Sequence, residues 1–561
     1  MTATFQQIDA ALTAAGQPFE VVEQELRGVR VRAWKNAPSS LREVLLGSLQ
    51  TADRIGLVYE DERLSYAEHF RRIALLAEHL VRDCGVTKGD RVAIAMRNYP
   101  EWSVAFWATV AIGAVAVPLN AWWTGRELEF GLWNSGSKVL IADPERLDRL
   151  ADAIPGLGLG GVIVVRCREA DERARDFAAL VAEGETTLPP ADIVPDDLAM
   201  ILYTSGTTGQ PKGAALTHRN ICNQVTSGRF LGARSVLRAG GKLEDLAQFA
   251  SVQQSTLLPV PLFHVTGCVG VLVSMLSGGG KSVLMYKWDA ERALDLIERE
   301  RITMVASVPT MAWQLAESPS LSRRDLSSLL SIGYGGAPAA PELMRRLRVA
   351  FPAAQFSSGY GLTEAATIVS NNLGADYVAR PDSAGVALPI CEVRVVDADG
   401  RDAERGALGE FWLRGANVIA EYWNRPEESS KSFSQGWFRT GDVGRIDMEG
   451  FIYIVDRIKD MIIRGGENVY CSEVEAALAE HPKVKAAAVI GLPHPVLGEE
   501  VGAVVQVDPS DPVDEGELGA FLRERLAAFK VPSRIWFRSE PLPMSPAGKI
   551  LKRELREQLL G

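Results

Sequence analysis

The chain's 561 residues, 47% hydrophobic and 23% charged, exceed what one core accommodates and predict a soluble enzyme of two or more domains. With 71 acidic against 60 basic residues the net charge is -11, which excludes a global attraction to nucleic acid or to an anionic membrane. An anionic ligand must therefore be held by donors placed locally. The six cysteines, Cys84, Cys167, Cys222, Cys268, Cys391 and Cys471, form no CxxC pair and no ligand cluster with the six histidines. Reduced thiols in a cytoplasm fit this pattern better than disulfides or zinc.

Taken in chain order, the start MTATFQQIDAALTAAGQ lacks the basic and apolar regions of a signal peptide. Residues 66–83 and 91–96 read as a helix and then a strand. The most apolar run, 102-WSVAFWATVAIGAVAV-117, is shorter than the ~20 residues of a membrane span and stops at Pro118. It reads as a buried helix running into a strand, so no transmembrane segment is expected. A polar, proline-bearing joint at 183–197 precedes the apolar strand 198-LAMILYT-204. Strands at 304–309 and 329–336 continue the alternation with helices to about residue 400, which predicts an α/β body.

From Asp456 onward the texture changes. The stretch 472-SEVE-475 has the form of a capping box that opens a helix. Strands follow at 484–490 and 501–507, then a helix near 514–526 and a basic tail. The expected division is 1–456, a large multi-subdomain α/β body, and 457–561, a small α+β domain of ordinary size.

Four stretches carry chemistry. The strand 198–204 leads into 203-YTSGTTGQPKG-213, a glycine-rich turn whose successive amides can cradle an anion. Ser205, Thr207 and Thr208 add hydroxyls there, Lys212 adds a positive charge, and Pro211 stiffens the exit. The loop departs from G-x-x-x-x-G-K-[ST], since Pro211 replaces the second glycine and Gly213 the magnesium-binding hydroxyl residue. A decoy at 278-GGGKS-282 copies the end of that motif but has Met275 where its first glycine belongs, and reads as a turn. The second stretch, 357-SSGYGLTEAA-366, places Tyr360 to stack on a base, Gly359 and Gly361 to let backbone approach a ligand, and Glu364 to bind Mg²⁺. Nearby, 333-GYGGAPAAPEL-343 is equally open. The third, 436-GWFRTGDVGRIDMEGFIYIVDRIKD-460, sets Asp442 in a tight turn facing a ribose diol, with Arg457 in reach. The fourth, 541-PLPMSPAGKILKREL-555, holds Lys549 on a constrained loop. Taken singly, the last three are an ordinary turn, a turn aspartate and a solvated lysine.

Together and in this order, the four stretches resemble the adenylate-forming superfamily of acyl- and aryl-CoA synthetases, firefly luciferase and peptide-synthetase adenylation domains. Residues 203–213 match [YF]-T-S-G-[ST]-T-G-x-P-K-G throughout, 360–364 match Y-G-x-T-E, 440–442 match T-G-D, and 548–549 match G-K. The stretch 457-RIKDMIIRGGENVYCSEVE-475 is similar to the start of the mobile C-terminal domain of acyl-CoA synthetases. The resemblance runs from about residue 50 to the end.

It implies a two-step ligase. A carboxylate attacks the α-phosphate of ATP, and a thiol, usually that of CoA, then displaces AMP. Thr204, Ser205, Gly206, Thr207, Thr208, Gly209 and Lys212 are implied to hold the β- and γ-phosphates. Gly336, Ala337, Tyr360, Gly361 and Thr363 would surround adenine and ribose, with Asp442 on the ribose hydroxyls and Arg457 beside them. Glu364 would ligate Mg²⁺, and Lys549 would bridge carboxylate and α-phosphate. Lys459 matches the hinge, and Gly465 and Gly466 the loop that admits the pantetheine arm of CoA.

The resemblance places the acid pocket between 261-PLFHVTGC-268 and residues 333–336, with His264 at its mouth. Small residues at Thr266, Gly267, Gly333 and Gly335 imply room for an apolar acid. Cys268 stands where some long-chain synthetases carry a tryptophan gate. A medium- to long-chain fatty acid is the first expectation and an aryl or alicyclic acid the second. Two further readings are a ligase that loads a carrier protein and a catalytically silent nucleotide-binding protein. No G-x-S-x-G hydrolase motif occurs. The implied partners are a small carboxylic acid, ATP and CoA, with no nucleic acid. A homodimer through the N-terminal domain is compatible, though no local signal marks it.

Overall fold

The structure, a computed structural model, describes residues 3–169, 171–184, 187–204, 210–245, 252–337, 339–545 and 548–560. Among these, two sheets with parallel centres carry the body. The first has seven strands, in the order Lys212–Thr217, Leu198–Thr204, Val115–Pro118, Arg91–Ala95, Ser137–Ala142, Gly161–Val164 and Arg175–Asp176. Only its Lys212–Thr217 edge runs antiparallel. The second has nine strands. Six central ones, including Ser255–Leu258, Met304–Ser307, Ser331–Gly335 and Gln355–Leu362, are parallel. A third, antiparallel sheet spans Cys391–Arg457, and a fourth, of five strands, spans Ile462–Arg538.

The apolar run of the sequence explains how the first two sheets face one another. Pro100 starts the helix Pro100–Ala111 at the position where a missing N–H costs nothing. Trp102, Phe106 and Trp107 are fully buried, and Trp102 stacks on Phe106 at 5.6 Å. One continuous core joins this helix to Val92, Ile94, Met200 and Leu202 of the first sheet and to Leu57, Leu258 and Leu284 of the second. The helix is apolar all round because protein surrounds it. None of the described helices is long and apolar enough to cross a membrane.

Residues 3–49, where the resemblance is silent, are folded onto this body. The helix Phe5–Thr13 and the hairpin Val21–Leu26/Val29–Trp34 pack on the long helix His218–Arg238. Trp34 is buried and donates its indole N–H to Ser227 Oγ at 2.9 Å. Asp9 lies 3.5 Å from the buried guanidinium of Arg234.

Two local expectations are corrected. Thr440, Gly441 and Asp442 lie inside the ten-residue strand Trp437–Ile446 rather than in a tight turn, with Gly441 at φ +71°. The helix near 472 is Cys471–Ala479, and Tyr470 caps it without a side-chain hydrogen bond. Ser472 sits within that helix and donates to the carbonyl of Val455 instead, so its hydroxyl links the fourth sheet's helix to the last strand of the third.

Gly361 is set by close approach: a Cβ there would stand 1.6 Å from the Thr367 carbonyl oxygen. Gly47, in the helix Leu41–Ser48, has open space around it. Gly361→Ala is therefore expected to destabilise the fold by roughly 2–4 kcal/mol, and Gly47→Ala to be neutral or slightly stabilising, in denaturant melts.

Candidate active site

Parallel strands present their carboxyl ends on one side, and ligands of such sheets bind there. Every described residue of the phosphate, adenine and metal motifs lies at or beyond such an end, or on the third sheet beside it. Thr204 ends the strand Leu198–Thr204 and pairs in register with Lys212, whose carbonyl accepts from Thr204 Oγ1 at 3.3 Å. The two ends of the glycine-rich loop are thereby held together. Ser205, Gly206, Thr207, Thr208 and Gly209 lie outside the described residues. The ammonium of Lys212 sits 5.6 Å from the ring centroid of Tyr422.

The residues expected to meet the nucleotide come from four strands, Ser331–Gly335, Gln355–Leu362, Trp437–Ile446 and Ile452–Arg457. Gly335 ends Ser331–Gly335 with Gly359 beside it: a Cβ on Gly335 would come within 2.8 Å of the Gly359 carbonyl oxygen. Gly336 follows in the left-handed region at φ +80°, leaving an open ledge that continues into Ala337. Tyr360 lies on the neighbouring strand with its hydroxyl donating to Asp442 Oδ2 at 2.8 Å. Burial, then the Asp442 charge, raises the Tyr360 pKa well above the phenol range. Arg457 Nε forms an ion pair with Asp442 Oδ1 at 2.9 Å, and Asp442 raises the Arg457 pKa in turn. Asp442 is itself buried, so both its oxygens are aimed before any ligand arrives.

Glu364 lies on the short turn Thr363–Ala365 just past the strand. The two residues beyond that turn are held in unusual backbone conformations, Ala366 at φ +53° and the β-branched Thr367 at φ +123°. Strain of this kind is kept where the surroundings over-determine it, frequently at active sites. The surroundings here include a π-helix, Thr266–Val273, whose Gly270 faces Thr367. The carboxylate of Glu364 accepts from the Tyr422 hydroxyl at 2.7 Å through Oε1, and Oε2 has no partner among the described residues. Among the described residues no cluster of three metal-ligating side chains occurs. One half-buried carboxylate with a free oxygen suits Mg²⁺, which takes most of its ligands from water and phosphate.

Lys549 arrives from the other domain. A narrow loop holds it, with the Ser545 amide donating to the Lys549 carbonyl at 2.7 Å and the Lys549 amide to Ser545 Oγ at 3.2 Å. Thr310 of the body donates its hydroxyl to the Gly548 carbonyl at 3.2 Å, and a Cβ on Gly548 would strike Val308 at 2.7 Å. Lys549 Cε stands 3.9 Å from where a Cβ of Gly336 would be. Its side chain is open to the cleft yet crowded by protein. That crowding, then Arg457, lowers its pKa to about 8.

His264 is the described acid-side residue with the clearest chemistry. Its Nε2 is buried without a hydrogen-bond partner among the described residues. Burial, then the Lys549 charge, lowers its pKa to about 4, so the ring is neutral at pH 7. Thr266 begins the π-helix, and Cys268 is fully buried within it. Gly267 is small for a different reason from the expected one: a Cβ there would meet the Pro261 carbonyl oxygen at 2.4 Å. Gly335 is likewise constrained by backbone, while Gly333 faces the Ser357 hydroxyl. Lys459 is exposed in the turn between the third and fourth sheets. Gly465 (φ +59°) and Gly466 (φ +89°) turn the hairpin Ile462–Arg464/Glu467–Val469, with open space around Gly466.

Sequence reasoning missed Tyr422 and Thr310. Tyr422 sits in 421-EYWNRPEE-428, where an aromatic residue before a turn has no chemical pattern around it. Thr310 begins an apolar helix, Pro309–Ala316, and its partner is 238 residues away.

The family profile described as AMP-binding enzyme matches residues 48–423, and that described as AMP-binding enzyme C-terminal domain matches 473–549. A feruloyl-CoA synthase of an Amycolatopsis species is 39% identical over 495 residues, covering 88% of this chain and 94% of that one. A long-chain-fatty-acid–CoA ligase of Mycobacterium tuberculosis is 35% identical over 498 residues, covering 89% and 93%. Among solved structures, ATP-bound MatB from Rhodopseudomonas palustris superposes with a TM-score of 0.81 at 31% identity, covering 92% of this chain and 98% of that one.

The Lys549 environment can be measured directly. After reductive ¹³C-methylation, the Lys549 resonance is expected to titrate at about pH 8, below the ordinary range of a lysine. Removing the like charge in Arg457→Ala is expected to move that midpoint upward, because the ammonium form is then less disfavoured.

Proposed function

The chain belongs to the AMP-binding enzyme family as an ATP-dependent, AMP-forming acid–CoA ligase, and from that premise we propose that its acid is a planar aromatic carboxylic acid. The observation that carries this reading is the acid side of the cleft. Of the four small residues that implied a wide pocket, Gly267 and Gly335 are dictated by backbone approach, and Gly333 faces the Ser357 hydroxyl. Those contacts account for three of the four small residues without a wide apolar pocket, so the support they lent to a long acyl chain is withdrawn. The 39% identity to a feruloyl-CoA synthase supports the same class. A medium- to long-chain fatty acid is the second reading, favoured by the 35% identity to the Mycobacterium ligase.

The residues divide the work in space. A carboxylate is a poor acyl donor until its oxygen joins a good leaving group, and adenylation supplies AMP as that group. Lys549 and Lys212 bring two cationic groups to the phosphates from opposite domains. Lys549 stabilises charge building on the carboxylate and α-phosphate oxygens, and its partly desolvated ammonium acts there at reduced dielectric. Lys212 and the glycine-rich loop hold the departing pyrophosphate, a task that needs amides and charge and no aimed γ-phosphoryl. Asp442 accepts from the ribose hydroxyls through the lone pairs left by Tyr360 and Arg457, and Tyr360 packs its ring on adenine. Glu364 holds Mg²⁺, which when bound neutralises phosphate charge. His264, neutral and with a free ring nitrogen, closes the mouth of the acid pocket.

The second step needs Lys549 gone, because a thiol must approach the carbonyl it guards. Residues 457–561 turn about Lys459, and the hairpin at Gly465 and Gly466 replaces the Lys549 loop. The contact of the Lys549 loop with Thr310 supports reading the present arrangement as the one suited to adenylation.

Two measurements test these roles. ATP–pyrophosphate exchange without CoA, across hydroxycinnamic, benzoic and straight-chain acids, is expected to be fastest with the aromatic acids. Exchange that rises steadily with alkyl chain length would hand the pocket to the second reading. Lys549→Ala is expected to abolish exchange while CoA still consumes supplied acyl-adenylate at a rate within a few-fold of the parent. Equal loss of both half-reactions would remove the division of labour.

A further inference from the structure

We infer that Tyr422 is a positioning residue that sets the separation of Lys212 and Glu364, the two side chains to which the proposed function assigns phosphate and magnesium. The inference rests on that assignment and adds a residue to it. Tyr422 is buried, and two ends of one side chain meet the two groups. Its hydroxyl donates to Glu364 Oε1 at 2.7 Å, and its ring faces the Lys212 ammonium at 5.6 Å.

The backbone around it makes the same connection. Residues 421–423 run antiparallel along the strand that leaves the glycine-rich loop. The Trp423 amide donates to the Gly213 carbonyl at 2.7 Å, the Ala215 amide donates to the Glu421 carbonyl at 3.3 Å, and Ala214 bridges Tyr422. Two residues upstream, the Ile419 amide donates to the Glu364 carbonyl at 2.8 Å. Tyr422 is held in turn by Ser429, whose Oγ accepts from its amide at 2.9 Å, and by the Phe433 ring. One five-residue segment therefore spans from the exit of the phosphate loop to the metal-side carboxylate, and Tyr422 is the residue of it that touches both functional side chains.

The physical consequence is specific. A carboxylate that must share a metal with mobile phosphates needs its rotamer fixed by a donor on the oxygen the metal does not use, and partners of this kind tune affinity. The Tyr422 hydroxyl occupies Oε1 and leaves Oε2 without a partner among the described residues. The ring is a separate device: it holds the Lys212 ammonium by its π face without neutralising it, so the charge stays available to phosphate.

The two devices separate in two substitutions. Binding of ATP is measured by calorimetry on the full chain, once with magnesium and once in EDTA. Tyr422→Phe keeps the ring and is expected to weaken the magnesium–ATP complex about tenfold while leaving metal-free ATP unchanged. Tyr422→Leu is expected to weaken both, since the face presented to Lys212 is lost. Glu364→Gln is the reference. If Glu364→Gln loses the advantage given by magnesium and Tyr422→Phe keeps it, the positioning role is overturned and the proposed function stands. Equal weakening by Tyr422→Phe with and without magnesium also overturns it, because a merely structural role affects both. If Glu364→Gln keeps the advantage, the metal assignment falls and the inference falls with it.

Discussion

On the proposed function, the structure answers to one electrostatic requirement: an ammonium group on one domain has to be brought against the phosphate site of another and then withdrawn. Lys549 is held in a narrow loop that presses on Val308 and Thr310, next to the Gly336 ledge. A lysine on the rigid body would reach the same atoms but could not leave them. Crowding by protein and the nearby Arg457 leave its pKa near 8, so the docked ammonium carries a real desolvation cost. Docking is thus opposed by the very condition that makes the charge effective, which suits a contact that must be temporary.

The body answers that requirement with rigidity. Parallel strands deliver Thr204, Gly335 and Tyr360 to one side, and backbone contacts set their spacing. Asp442 is aimed by Tyr360 and Arg457, Glu364 by Tyr422, and the mouth of the phosphate loop by the Thr204–Lys212 pair. Beside Glu364, the backbone adopts φ values at Ala366 and Thr367 that residues of these types rarely occupy. The π-helix packs on Thr367, and the segment 419–423 holds Glu364 just ahead of the strained residues. On the proposed function this arrangement is preorganisation: the donors are aimed by protein contacts rather than by the ligand.

Much of this was legible from residue order. The buried helix Pro100–Ala111 followed by a strand, the strand into the glycine-rich loop, and the decoy turn at Gly278 all read correctly, since periodicity and turn chemistry are local. Local reading failed where a pattern had a second use. The 472–475 stretch has the spacing of a capping box, yet Ser472 serves the Val455 carbonyl. Thr-Gly-Asp has turn composition, yet it is carried in a strand, at an irregularity in the pairing where Gly441 takes a positive φ. Gly267 looks like room for substrate, yet the Pro261 carbonyl fills the space a side chain would need.

What the amino-acid sequence determined by itself is the family and the reaction type, and it named the groups to which the proposed function assigns phosphate, ribose, metal and carboxylate. Those follow from residue types at fixed short spacings, which are local properties of a chain. What only the tertiary structure decided is how those groups hold one another. Tyr360 meets Asp442 across 82 residues, Tyr422 meets Glu364 across 58, and Thr310 meets Gly548 across 238. Residues 3–40, silent as a motif, fold over the helix His218–Arg238 through Trp34 and Asp9. No spacing rule reaches such pairs, because their distances are set by how two sheets stack on a shared core and how a second domain docks upon it.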